Sequence, residues 1–225
     1  MPRPSRNLDQ ALLAAGRDLF PARGCAGMSV REVADAAGVN LGMFHYHFKS
    51  RDAFLRALMQ QAYEEMFATL TLQVVEGAEP VANLRKALQV LGRFARDNRP
   101  FLARVFIDAL SGEQCARAFL RDNMPRHLAV LGKLIVDGQG RGTLVAVPVP
   151  QVIGLCGGAL VMPILLGGAL LESGALEKPT AAAIEASFLT DAGIEQRIDL
   201  ALRAISLTPQ PLAPAPRSGK ARRKT

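Results

Sequence analysis

The chain has 225 residues, 49% of them hydrophobic, so it can bury a substantial core and is not a disordered protein. Its net charge of +7 lies at the ends: residues 1–60 carry 8 basic and 5 acidic side chains, residues 61–207 carry 14 and 15, and residues 208–225 carry 5 and none. This pattern favours a protein that touches a polyanion with its extremities. Three distant cysteines without CxxC spacing indicate neither a disulfide framework nor a zinc site, and favour the cytoplasm.

Capping residues predict two helices in the first 38 residues. Asn7 is placed to cap the first helix, which Gly24 ends. Ser29 opens the second, with Glu32 three residues later in the arrangement of a capping box. Gly38 follows its last turn, where a left-handed residue is common.

Two further helices follow directly. Asn40 caps a short third helix that runs to about Tyr46, and Ser50 caps a fourth. Apolar residues recur in the fourth helix at helical spacing from Phe54 to Val74. At 1.5 Å per residue this helix is a rod of about 35 Å, long enough to connect two domains.

The remainder is predicted to be helical up to a polar end. A break is expected at Pro125, a weakened helix at Gly193, and a loop from Gly138 to Pro150. Within that loop, Thr143–Val147 has the composition of a short strand. Residues 208–225 are Pro-rich, polar and basic, which predicts a disordered tail. The predicted helices beyond Pro80 span 81–98, 101–110, 114–138, 151–172 and 180–206.

One segment raises the question of a membrane. Val152–Leu171 is 20 residues without a charge, the length that spans a bilayer. It contains five glycines and Pro163 and lacks aromatic and basic anchors at both ends, so a helix buried in a subunit interface is the preferred interpretation. A membrane protein with one span here is the alternative.

The two short helices joined at Gly38 have the form of a helix-turn-helix. In that motif the first turn of the second helix, here Asn40 to Met43, enters the major groove of DNA. Spacing alone fits an ordinary helical hairpin equally well. Because spacing alone does not distinguish a helix-turn-helix from an ordinary hairpin, the choice depends on the residues around the turn.

The run LFPARGCAGMSVREVADAAGVNLGMFHYHFKSRDAF, Leu19 to Phe54, resembles the DNA-binding signature of the TetR family of transcription regulators. The resemblance covers about the first 60 residues. It implies an all-α protein with an N-terminal three-helix helix-turn-helix domain, residues 1–50, and a helical ligand-binding and dimerisation domain, residues 51–207. The matching positions are Leu19-Phe20, Gly24, Ser29, Ala37-Gly38-Val39, Gly42, His47-Phe48 and Ser50-Arg51-Asp52.

The resemblance also implies partners. They are double-stranded operator DNA with pseudo-palindromic half-sites, a second copy of the chain, and a small, mostly apolar effector that relieves repression. No membrane is expected. An architectural DNA-binding protein without a ligand is a further alternative.

Eleven residues are candidate DNA contacts. Ser29 and Arg31 lie in the first turn of the second helix, where a hydroxyl and backbone N–H groups hold a phosphate and a guanidinium reaches further; the family pattern implies a phosphate and a base contact. The alternative for Arg31 is a solvated surface arginine. The alternative for Gly42 is a role in packing. The full set is Ser29, Arg31, Asn40, Leu41, Gly42, Met43, His45, Tyr46, His47, Lys49 and Arg51.

The sequence departs from the family pattern at two of these positions. His45 stands where the family commonly has Tyr, and it can still donate to a phosphate. Leu41 stands where Lys is frequent, and it is suited instead to a thymine methyl group. The operator of a relative therefore does not transfer to this chain.

Other chemistry is not indicated. His45 and His47, two apart on a helix, point to nearly opposite sides and do not form a metal site. No phosphate loop, carboxylate pair or Ser/His/Asp set predicts an enzyme or a cofactor. The candidate ligand-contacting residues, for which core packing is the alternative, are Phe94, Phe101, Phe106, Cys115, Phe119 and His127.

Overall fold

The computed structural model describes residues 6–75 and 77–207, and these form an all-α fold, as predicted. The predicted tail, residues 208–225, lies outside the described residues. One π-helical turn, Glu185–Leu189, lies between α9 and α10. The helices are α1 (Arg6–Gly27), α2 (Val30–Ala36), α3 (Leu41–Phe48), α4 (Arg51–Gln73), α5 (Pro80–Asp97), α6 (Arg99–Leu110), α7 (Gln114–Gly140), α8 (Val149–Glu172), α9 (Lys178–Ile184) and α10 (Asp191–Ile205).

Short polar side chains set the starts of the helices near the N-terminus. Ser29 Oγ accepts from the backbone N–H of Glu32 at 3.1 Å, and Asn40 Oδ1 accepts from that of Met43 at 2.9 Å. Ser50 caps α4 in the same way. These caps confirm the predicted starts of α2, α3 and α4, because each satisfies an N–H group that the first turn leaves free.

The first helix differs from the prediction at its start. It begins at Arg6, so Asn7 lies inside α1 and not at its cap. The predicted stop at Gly24 is a kink, since this residue has φ 63° and ψ −170° and the helical turns resume after it up to Gly27. A positive φ of this size is easily adopted by glycine.

Three predictions for the second half of the chain were wrong in detail. Pro125 does not break α7, which continues through this exposed residue to Gly140. The helix predicted over 180–206 is interrupted at Thr190, whose extended backbone and hydroxyl cap α10 by accepting from Gly193 N–H at 3.0 Å. The strand predicted at Thr143–Val147 is one antiparallel bridge, Leu144 to Ser206.

The buried residues form two apolar clusters. The first, called the head core here, includes Leu12, Phe20, Phe44 and Phe54 and joins α1–α3 to the N-terminal half of α4. The second, the body core, joins the C-terminal half of α4 to α5, α7, α8 and α10. Helix α4 therefore contributes to both cores and connects them.

Helix α8 is apolar along its whole length. Its most apolar window has a mean hydropathy of 2.1, and 39% of that window is buried, so by length and composition this helix resembles both a membrane span and the core helix of a soluble protein. It packs against α5 and α10. The exposed large apolar residues of α8 are Leu155, Met162, Leu166 and Leu170.

Candidate functional site

Helices α2 and α3 form a compact pair across a tight turn. Gly38 adopts φ 67° in this turn, and the N–H of Val39 donates to the carbonyl of Ala34 at 3.0 Å. Val33 and Phe44 are fully buried beneath the pair. The sequence therefore folds here as a helix-turn-helix whose inner faces are fixed by the head core.

The first turn of α3 faces solvent. Asn40, Leu41 and Gly42 are exposed and Met43 is half-buried. A Cβ atom built on Gly42 meets only Asn40 Oδ1, at 3.3 Å. Packing against the rest of the described chain therefore does not explain this glycine, and the surface is open to the close approach of another molecule.

The first turn of α2 offers a hydroxyl and a guanidinium. Ser29 uses its oxygen to cap the helix, which leaves its proton free for an outside acceptor. Arg31 is exposed and has no hydrogen bond or ion pair with any residue that the structure describes. The neighbouring Glu32 is paired with Arg23, 2.7 Å away, so its charge is partly neutralised where an anion would bind.

The end of α3 carries donors and an unusual backbone. Tyr46 is 70% exposed, His45 is exposed and His47 is half-buried. Lys49 has φ 57°, rare for a residue with a side chain, and its ammonium has no partner among residues 6–75 and 77–207. Arg51 differs, because its Nη1 donates to the carbonyl of Ala26 at 3.1 Å and ties α4 to the end of α1.

A cavity of about 180 Å³ lies among α4, α5, α6, α7 and α8. None of the described residues that line it is charged. Five of the six predicted ligand-contacting residues line this cavity: Phe94, Phe101, Phe106, Phe119 and His127. The structure places the sixth, Cys115, against the head core instead, where a hydrogen bond with its thiol contributes most to raising the pKa of Cys25.

The cavity lies between the two cores. Met59 and Phe101 line it and belong to the head core, whereas Met66 and Leu160 line it and belong to the body core. The ring of Phe101 packs against that of Phe20 of α1, with centroids 4.8 Å apart. A molecule in the cavity would therefore touch Phe101, which packs directly against α1 of the head core.

Three polar side chains, Tyr63, Asn123 and His127, lie on the cavity wall. Tyr63 donates to the backbone carbonyl of Asn123 at 2.8 Å, and its oxygen lies 3.3 Å from Nδ1 of His127. Burial lowers the pKa of His127 and raises that of Tyr63, so both are neutral near pH 7. Sequence reasoning identified His127 but missed Tyr63 and Asn123, which lie within apolar helical patterns without a motif of their own.

The first comparison with known proteins concerns the helix-turn-helix. Residues 12–58 match the family model described as bacterial regulatory proteins, tetR family. The N-terminal region of the chain is therefore of the TetR family. The resemblance in the sequence and the geometry of α2 and α3 lead to the same assignment.

Curated relatives of this chain extend the likeness beyond the matched region. The HTH-type transcriptional repressor Rv3405c of Mycobacterium tuberculosis (strain ATCC 25618 / H37Rv) is 28% identical over 119 residues, 53% of this chain and 57% of that protein. The chain spans about half the length of the curated relatives it matches. The sequence likeness to these relatives therefore covers about half of this chain.

Solved structures share the whole fold. A TetR family transcription regulator from Marinobacter aquaeolei VT8 matches with a TM-score of 0.65 at 19% identity, over 88% of this chain and 95% of that one. A Saccharomonospora viridis protein, solved in complex with choline, matches with a TM-score of 0.67 at 15% identity, over 89% and 98%. At these identities the likeness concerns the fold alone.

Proposed function

We propose that this TetR-family chain is a DNA-binding transcription regulator, a homodimeric repressor that a small, mostly apolar ligand releases from a pseudo-palindromic operator. The observation that carries the proposal is the exposed first turn of α3, flanked by Arg31 on α2 and Lys49 after α3, both without partners among the described residues. Unpaired cations beside a helix-turn-helix are what a phosphate backbone requires.

The proposed contacts divide by chemistry. Residues 40–43 meet base edges in the major groove, where Leu41 packs against a thymine methyl group. Ser29 and Lys49 hold phosphates, and Arg31 reaches a base edge. His45, Tyr46, His47 and Arg51 complete the phosphate contacts proposed, with Arg51 using donors that its bond to the Ala26 carbonyl leaves free.

The proposed dimer buries the outer face of α8 together with α10. Leu155, Met162, Leu166 and Leu170 follow one another at intervals of seven, four and four residues, which places them on one side of the helix. On α10, Leu200 is 64% exposed. A second copy is the natural cover, since a two-fold dimer presents two heads to the two halves of an operator.

The same face accounts for the hydropathy of α8. Glycines along it allow close approach of a partner helix, so its composition agrees with an interface between soluble subunits. We therefore propose a cytoplasmic location, as is usual for the family, and residues 51–207 as the dimerisation and effector domain.

The cavity supports control by a ligand. It is apolar with few polar groups, the usual character of a small-molecule site, and its walls include residues of both cores. The choline complex of a structural neighbour supports a small ligand on this fold. An architectural DNA-binding protein without a ligand is less well supported, since nothing would then fill this space.

Release follows from geometry. Both half-sites must be reached at a fixed spacing, so a modest tilt of α4 or α6 in each subunit displaces a reading helix from its groove. Coupling of this kind is reciprocal: a ligand that weakens operator binding about 100-fold binds the DNA-bound protein about 100-fold more weakly, near 2.7 kcal/mol.

The first test is selection of bound fragments from a pool of random double-stranded DNA by the full chain. The expected product is a pseudo-palindrome with half-site centres about 34–36 Å, or a multiple of this, apart. A variant with Arg31 and Lys49 both changed to Ala serves as the matched control and should enrich nothing. Equal enrichment by the variant would contradict the proposed reading surface.

The second test addresses release. Apolar and aromatic compounds that raise the melting temperature are added to titrations of the selected operator. Ligands that bind tightly and leave operator affinity unchanged have equal affinity for both states, and would exclude release by this cavity.

A further inference from the structure

The hydrogen bonds of the cavity wall fix the proton on His127. Tyr63 has a single hydroxyl proton, which it donates to the carbonyl of Asn123 at 2.8 Å. The Nδ1 atom of His127, 3.3 Å from the same hydroxyl, is therefore the donor of that contact, and the neutral imidazole carries its proton on Nδ1. Its other ring nitrogen, Nε2, is left as an acceptor.

The neighbouring polar groups are already paired. The side-chain N–H₂ of Asn123 donates to Gln60 Oε1 and to the carbonyl of Phe119, both at 3.0 Å. The Asn123 side-chain oxygen accepts from Arg126 at 3.3 Å. Nε2 of His127, by contrast, has no hydrogen bond with any residue in 6–75 or 77–207. Nε2 is thus an acceptor without a partner among these residues, on a side chain that lines the cavity.

Size and charge restrict what can supply that donor. A cavity of about 180 Å³ is close to the roughly 150 Å³ that holds one benzene molecule in a protein interior. With no charged side chain among the described lining residues, a carboxylate, phosphate or ammonium group would lose its hydration without a compensating charge.

We propose that the effector is a small uncharged molecule with a single ring and one hydroxyl or N–H group, of which a monocyclic phenol is the simplest example, and that this group donates to Nε2 of His127. The proposal rests on the proposed effector function of the same cavity. It predicts a preference for the donor group itself, beyond the preference of an apolar cavity for an apolar ring.

The test compares three probes of equal ring and chain: 4-ethylphenol, 4-ethylanisole and 4-ethylbenzoate. Their affinities for the full chain are measured by calorimetry at pH 7.5. We expect 4-ethylphenol to bind, 4-ethylanisole, which lacks the donor, to bind about tenfold more weakly, and 4-ethylbenzoate not to bind. Equal affinity for the phenol and the anisole, or no binding of the phenol, would overturn the proposal.

The variant His127→Phe keeps a ring in the wall and removes the acceptor. It should bind phenol and anisole alike, whereas the control Phe106→Leu, which also changes a cavity-lining residue, should keep the preference for phenol. Melting temperature and affinity for the selected operator verify that each variant is folded. A His127→Phe protein that is folded and still prefers the phenol would contradict the assigned acceptor.

Operator binding separates this inference from the function on which it rests. If 4-ethylphenol binds with the expected preference and leaves operator affinity unchanged, the ligand class is correct and release through this cavity is wrong. If the operator is released only by charged or larger compounds, effector control of operator binding is correct and the proposed ligand class is wrong.

Discussion

The buried carboxylate of Asp108 on α6 accepts a hydrogen bond of 2.6 Å from the backbone N–H of Cys25 in α1. Its other oxygen accepts from Nε of Arg104 at 2.8 Å, and Arg104 also donates to the carbonyl of Arg23 at 3.4 Å. A Cβ at Gly24 would overlap this guanidinium. The kink of α1 is thus held in place by a helix whose other face lines the cavity.

Removal of the Asp108 carboxylate should weaken the contact between α1 and α6. In Asp108→Ala, the Cys25 N–H and the Arg104 guanidinium both lose their acceptor, so the free energy of unfolding should fall by about 1.5–3 kcal/mol. Urea titration followed by circular dichroism measures the change. The control Asp122→Ala removes an exposed carboxylate that is also paired with an arginine, Arg121, and should leave the midpoint in place. Equal behaviour of the two variants would show that Asp108 has no special role.

Arg31 and Lys49 should differ in kind as DNA contacts. Arg31→Ala should cost about 1–3 kcal/mol of operator affinity and relax sequence preference, since it removes a base contact. Lys49→Ala should weaken operator and random DNA alike and reduce the salt slope by about one unit. Fluorescence anisotropy titrations at several salt concentrations measure both. Parallel losses on operator and random DNA for the two variants would refute the assignment.

The basic tail, residues 208–225, should add affinity that does not depend on sequence. Deleting it should make the dependence of random-DNA binding on salt shallower, because five cations no longer displace counterions. A variant that keeps the tail but has its five basic residues changed to Gln separates the effect of charge from the effect of chain length. If the salt slope of both proteins equals that of the parent, the tail takes no part in binding. The five are Arg217, Lys220, Arg222, Arg223 and Lys224.

The outer face of α8 should control assembly. Leu166, 62% exposed, would be buried in the proposed dimer, so Leu166→Glu should place a charge in an apolar interface and shift the protein toward monomer. Sedimentation velocity measures the oligomeric state of each protein. The control Leu110→Glu changes an equally apolar residue that is 84% exposed at the end of α6. A Leu166→Glu protein that sediments as the parent does would remove α8 from the interface.

His127 should make stability fall on acidification. Burial lowers its pKa in the native state, whereas the unfolded chain titrates near the ordinary value of about 6.5. Below that pH the unfolded state binds more protons, so the free energy of unfolding decreases as pH falls. In His127→Gln this part of the decrease should disappear, and in the exposed control His45→Gln it should persist. Urea midpoints between pH 7.5 and 5 provide the comparison; identical pH profiles for parent and His127→Gln would contradict it.

Local chemistry made part of the fold predictable. Ser29, Asn40 and Ser50 each satisfy an N–H group three residues later, so the information for these helix starts is contained in a single turn. The aromatic candidates for the cavity were predictable for a similar reason, since large apolar residues in a helical body are either core or cavity wall.

Long-range contacts were not predictable in this way. Asp108 and Cys25 are 83 residues apart, and nothing near either residue indicates its partner. Cys115 was assigned to the cavity from composition, but its place beside Cys25 depends on how α7 meets α1 and α6. The interruption likewise lies at Thr190 and not at Gly193, because the extended backbone of Thr190 begins α10 three residues before the glycine.

The contribution of α4 to both cores limits how this protein can be recombined with its relatives. A chimaera that joins a foreign body after Ser50 would separate Phe44 from Phe54, whose rings are 5.2 Å apart, and would leave Phe20 without Phe101. Exchange of DNA specificity is better attempted by grafting only the solvent-facing residues of α2 and α3. The transplanted unit would then be a surface, and both hydrophobic cores would stay with their own chain.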